Sequence, residues 1–338
     1  MRLDSANRAF VALVAVAAAP YVALGLFGCG LLSYLAWRVA AEGPGVVTSD
    51  ADLRPAVAFF AVISAGTVLA VRSLLRQHAA PRRLADHVRN RQLPLAPCVE
   101  DASERAGLAG RVDVVESPGA WSFVYGLSAP RVVVSAELAA SASPEELDAV
   151  LAHERYHVRN LDPLKVVLAR AFASAFFFLP VLRHLRARYL AGRELAADRR
   201  ALRTAGRRPL AAALYRVVAG PGWPELATAA AIGGEDLLEV RLTQLETGKE
   251  PPLDTLPRLA LVLTALGLAL LVTALMATVA SVGGPGELMD MDAETGNRSG
   301  GLAVVGALAC GVAWVVGGVA LYRRFAGGID TNPPTIIA

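Results

Sequence analysis

The sequence predicts a mainly α membrane protein, with four transmembrane helices and a cytoplasmic α+β domain between the second and third of them. Three observations carry that expectation. Of 338 residues, 54% are hydrophobic and only 19% charged, a balance too apolar for an ordinary soluble domain. Four apolar windows approach or exceed the roughly 20 residues that cross a bilayer as a helix. One central stretch, 72–257, is long enough for a globular core and mixes β-branched runs with amphipathic patterns.

The first span is expected over 9–37. It is longer than the apolar core of a secretory signal and has no clear cleavage site, so it reads as a retained anchor. Pro20 within it is tolerable where neighbouring helices re-satisfy the backbone. The others are expected over 55–71, 259–282 and 301–322. Arginine-rich short segments stay cytoplasmic. Arg2 and Arg8 precede the first span, Arg72, Arg76, Arg82, Arg83, Arg89 and Arg91 follow the second, and Arg323 and Arg324 follow the fourth. Both termini and the central domain are therefore expected on the cytoplasmic side of the inner membrane. The two short outward loops carry Glu42, Asp50 and Asp52, then Glu287, Asp290, Asp292 and Glu294. A net charge of +3 makes no case for direct nucleic-acid binding, so the first partner implied is the lipid bilayer. Cys29, Cys98 and Cys310 form no CxxC pair and imply no disulfide framework.

In the central region, RVDVVES and PRVVVSAEL, with SFVYG between them, predict a small β-sheet over 111–135. Ser143, Pro144 and Glu146 then form an N-cap, a first-turn proline and a capping box, so a helix begins there and stops near Asp162-Pro163. A second helix is expected over Arg188–Leu202, and an amphipathic one over 235–247. Between these helices, the apolar segment 164–182 reads as re-entrant, interfacial or core; a single crossing there would split the two halves of the site described next.

His153-Glu154-Arg155-Tyr156-His157 is an HExxH motif. Residues four apart share a helix face, so both imidazoles reach one ion, and the intervening glutamate faces the same place. With only five histidines in the chain, a chance occurrence inside a capped helix is rare. Two imidazoles and one carboxylate suit a catalytic Zn2+ that keeps a coordination position open, acidifies water and polarises a carbonyl. Glu154 is then the general base, passing a proton to the leaving amine. Downstream, Glu194 is the candidate third metal ligand. Asp198, one turn later, is a supporting acceptor for a ligating histidine. The alternative is that both carboxylates pair with Arg193, Arg199 or Arg200.

SFVYGLSAPRVVVS, SPEELDAVLAHERYHVRNLDPL and RELAAD together resemble the BlaR/MecR-type antirepressor membrane metallopeptidases, and more distantly the HtpX and CAAX-prenyl-protein proteases. The resemblance implies His153 and His157 as ligands, Glu154 as catalytic, Glu194 as third ligand and Asp198 as supporting. It also implies a zincin-like fold whose protein or peptide substrate adds as a strand to a sheet edge, here at Ser122, Phe123, Val124, Tyr125 and Gly126. For Trp121, Phe123 and Tyr125, core packing is an equal alternative to substrate contact. The implied substrate is a cytoplasmic protein such as a winged-helix repressor. An HtpX-like role in membrane-protein quality control and a non-catalytic membrane scaffold are the competing readings. The penicillin-binding domain of receptor members is not part of the resemblance, and direct β-lactam sensing is not expected.

Overall fold

A computed structural model describes residues 4–23, 36, 38–49, 54–219, 235–253 and 255–281. In chain order the elements are α1 (Ser5–Ala23), α2 (Val46–Ser49), α3 (Arg54–Arg91), β1 (Gln92–Leu93), α4 (Pro97–Arg105), β2 (Val112–Val115), β3 (Ser122–Tyr125), β4 (Arg131–Ser135), α5 (Ala136–Ser141), α6 (Pro144–Asn160), α7 (Asp162–Ala175), α8 (Pro180–Ala205), α9 (Arg207–Ala219), α10 (Glu235–Thr247) and α11 (Arg258–Ser281). Among the described residues the chain is mostly helical with one small sheet.

The valine runs make the sheet's centre. β2 is buried throughout and β4 nearly so, as expected of strands covered on both faces. They pair in parallel, and the order β1-β2-β4-β3 puts β3 on one edge, antiparallel to β4. One face packs Val112, Val114, Val132 and Val134 against Leu147, Val150 and Leu151 of α6. The other packs Val115 and Val133 with Trp121 and with Val88 from the end of α3.

Gly126 closes β3 at φ +89°, and a Cβ there would lie 2.8 Å from the Ala129 carbonyl oxygen. Only glycine fits that turn.

Tyr125, Arg131 and Gln92 converge on Asp113, which is 3% exposed. The Tyr125 hydroxyl donates to Asp113 Oδ2 at 2.7 Å, beside two Arg131 hydrogen bonds of the same length. Burial and the Asp113 carboxylate push the Tyr125 phenol up to about 12. Its folded value lies above the unfolded value of about 10. The stabilisation is therefore whole below pH ~10 and is lost as pH rises through about 12. A tyrosinate absorbance titration of wild type and Tyr125→Phe should differ by one phenol ionising near the upper end of that window. A difference centred near 10 would show that the contact does not form in solution.

The capping box forms as expected: Ser143 Oγ accepts from Glu146 N, and Glu146 Oε2 accepts from Ser143 N. α6 ends at Asn160 because Leu161 is left-handed (φ 53°, ψ 39°), and α7 starts at once with Pro163 in its first turn. α8 is longer than the sequence pattern indicates. It opens at Pro180, where the backbone N–H of Val181 is satisfied by Thr264 Oγ1 of α11 at 3.1 Å, and stops at Gly206.

Residues 164–182 form α7 and the turn into α8, and they are packed. Val166, Ala169, Ala173, Phe176 and Leu179 share a core with Phe10 and Leu13 of α1 and Leu182, Leu185 and Tyr189 of α8. Gly192 on α8 lets α1 approach so closely that a Cβ there would sit 3.1 Å from Ala6 Cα.

Of the expected spans, 301–322 lies outside the described residues, as does most of 9–37 beyond Ala23, and the side chains of 259–282 are described only to 273. Among the described residues no helix is long and apolar enough to cross a membrane. The window 55–71 is the first half of α3, which runs on without interruption into the basic segment. α3 and α11 nonetheless expose large apolar side chains, among them Val68 (64%), Leu75 (66%), Leu259 (67%) and Leu270 (70%).

Candidate metal centre

α6 and α8 pack face to face, their contact lined by small residues such as Ala149 and Ala152 on α6 and Ala201 on α8. This brings Glu194 against the two histidines. His157 Nε2 lies 3.2 Å from His153 Nε2, His153 Nε2 lies 3.4 Å from Glu194 Oε2, and His157 Nε2 lies 3.8 Å from Glu194 Oε1. Ligands on a tetrahedron with zinc bonds of about 2.0–2.2 Å are about 3.3–3.6 Å apart. One donor atom from each of the three residues falls within 4.8 Å of the other two, so the set can hold one metal ion.

The far nitrogens of both imidazoles meet carboxylates. His153 Nδ1 lies 2.8 Å from Asp198 Oδ1, and His157 Nδ1 lies 2.6 Å from Asp162 Oδ2. The hydrogen bond to Asp162 keeps the proton of His157 on Nδ1 and leaves its Nε2 facing His153 and Glu194, while Asp198 stands behind His153 as its ion-pair partner. Two such pairs give the donor chemistry of a built metal site, and both imidazoles are oriented before any ion arrives. Asp198 is held in turn by Arg241 of α10, whose Nε and Nη2 donate at 2.7 and 2.9 Å. Asp162 Oδ1 accepts from Tyr189 Oη at 2.8 Å and Asn160 Nδ2 at 2.6 Å.

Charge balance follows from these contacts. Burial works against a charged His153, but Asp198 and Glu194 outweigh it and raise the imidazole to about 10. Burial likewise opposes the Asp198 carboxylate, yet Arg241 and His153 hold it down to about 2. Against the same burial, His157, Arg193 and His153 keep Glu194 well below the ordinary carboxylate range. The Arg193 Nε sits 3.1 Å from Glu194 Oε1, so the anticipated ion pair coexists with the ligand geometry instead of replacing it.

Glu154 is 5% exposed and accepts a 2.7 Å hydrogen bond from Ser122 Oγ of β3. The edge strand of the sheet therefore abuts the motif. Along β3 side chains alternate. Ser122 is directed to Glu154 on α6 and Val124 packs on the same core as α6, while Phe123 and Tyr125 pack with Trp121 against Val115 and Val133. Trp121 and Phe123 stack at 5.2 Å.

Sequence reasoning named His153, Glu154, His157, Glu194 and Asp198, which the fold brings together, but missed Asp162, Tyr189 and Arg241. Asp162 carried a signal in its place five residues after His157, just ahead of a proline. Arg241, 43 residues from Asp198, carried none. The family model described as BlaR1 peptidase M56 matches residues 50–245, more than half of the chain. This protein therefore belongs to the BlaR1 peptidase M56 family.

Proposed function

We propose that this protein is a membrane-embedded, zinc-dependent endopeptidase that hydrolyses a peptide bond of a cytoplasmic protein. The observation that carries the reading is the convergence of His153, His157 and Glu194 beside a buried Glu154 and, among the described residues, an edge strand of the sheet. When bound, zinc supplies Lewis acidity at an open coordination position, which acidifies water and polarises the scissile carbonyl. The chain's own residues do the rest. Glu154 takes the proton of the attacking water and hands it to the leaving amine, and Ser122 orients its carboxylate by donating to Oε1. Asp162 and Asp198 hold the imidazoles, and the outward backbone groups of β3 align the substrate as an added strand.

Family membership supports a winged-helix repressor as the substrate class. The exposed apolar faces of α3 and α11 support contact with lipid, and the arginine distribution supports a site and both termini on the cytoplasmic side. The test is the full-length protein purified in detergent. It should carry about one zinc per chain and cleave a repressor-type protein, lose cleavage on chelation and regain it with zinc. A protein that takes up no divalent metal, or cleaves equally well without it, would sink the reading.

A further inference from the structure

We propose that the first helix is a strut of the metal site, with Asn7 and Lys165 acting as positioning residues for His157 through Asn160 and Asp162. The proposal rests on the metallopeptidase reading and adds to it residues outside the motif.

The path is continuous in hydrogen bonds. Asn7 Nδ2 of α1 donates to Asn160 Oδ1 at 3.1 Å. Lys165 Nζ donates to the same Asn160 oxygen and to Asn7 Oδ1, each at 2.7 Å. With two donors on its oxygen, the Asn160 amide has one orientation, and its Nδ2 is directed to Asp162 Oδ1 at 2.6 Å. A flipped amide would set oxygen against carboxylate and strip the Lys165 ammonium, only 3% exposed, of an acceptor. Asp162 is thereby fixed through Oδ1 by Asn160 and Tyr189, which leaves Oδ2 for His157 Nδ1.

Beside this path, the Tyr156 hydroxyl donates to Asp4 Oδ2 at 2.8 Å, a second tie between α6 and the start of α1. None of the α1 groups touches the ligand atoms. Asn7 and Lys165 act on the site by setting which way one amide points, and so where the ring of His157 stands.

A shift of α1 is therefore felt as a change in ligand geometry, which separates this role from general packing. Removing partners that hold a ligating histidine lowers metal affinity about 10–100-fold. In the full-length protein, Asn7→Ala and Lys165→Met should each weaken zinc binding about 10-fold and shift the visible d–d bands of the cobalt-substituted protein. Asn160→Ala, which leaves α1 untouched, should lose at least as much and serves if an α1 variant does not fold. Leu13→Ala thins the apolar contact of α1 without removing any hydrogen bond of the path, and should lower the unfolding midpoint while keeping wild-type zinc affinity and spectrum. In an Asp162→Asn background, Asn7→Ala should cause no further loss. Wild-type affinity and spectrum in the Asn7, Lys165 and Asn160 variants would overturn the proposal, as would a loss in Leu13→Ala equal to that in Asn7→Ala. A wild-type protein that binds no metal would instead refute the metallopeptidase reading.

Discussion

Replacing Glu154 with glutamine should lower kcat/KM for peptide hydrolysis by about 10²–10⁴-fold, the range of a positioned general base, with metal content unchanged. Glutamine keeps the shape and can still accept the 2.7 Å hydrogen bond from Ser122, but it cannot take a proton. The three candidate ligands are untouched, so the change isolates proton transfer from metal binding. Elemental analysis and a cleavage assay on the same preparation check both halves. Undiminished cleavage would remove Glu154 from the mechanism, and lost metal would mean that it shapes the site instead. Retained biological output with cleavage abolished would favour a scaffold.

Arg241→Met should be the most damaging change outside the motif. Asp198 is fully buried, and the guanidinium is its bidentate partner from another helix. Removing one member of a buried pair leaves an uncompensated charge, at a cost of about 3–5 kcal/mol. For a domain of this size that is a fall of roughly 6–20 °C in the unfolding midpoint. Because Asp198 also holds His153, zinc affinity should fall about 10–100-fold. Adding Asp198→Asn to Arg241→Met should recover part of the stability and none of the affinity. An unchanged midpoint in the single variant would show that the pair is not formed in solution.

What the sequence made legible was local. His153, Glu154 and His157 follow from helical spacing, and the start of α6 from its cap, because both depend on residues within one or two turns. Glu194 and Asp198 were legible once a metal was supposed. The role of Asp162 was hidden because it depends on the left-handed Leu161, a conformation that leucine does not announce; the sequence showed only a helix stop. β1 is two residues long, too short for any alternation to register. The start of α8 was masked by Arg183, Arg186 and Arg188, which blur its apolar stripe. The change from apolar to basic composition at residue 72 falls within α3, because helical hydrogen bonding is indifferent to side-chain polarity and continues to Arg91.

For a substrate that adds to β3 in the way proposed, the outer rim of the strand sets a limit on recognition. The Trp121 carbonyl bonds Ser135 N of β4 at 3.0 Å, so by antiparallel alternation Phe123 and Tyr125 also turn their main-chain groups inward, and only Ser122 and Val124 present theirs outward. Four such bonds at about 0.5–1.5 kcal/mol each give at most about 6 kcal/mol before the entropic cost of association, a millimolar grip or weaker. A client held by this ledge alone would fall away before being cut. Efficient turnover then requires the client to be tethered nearby, through a shared bilayer or a second point of attachment, so that high effective concentration replaces intrinsic affinity.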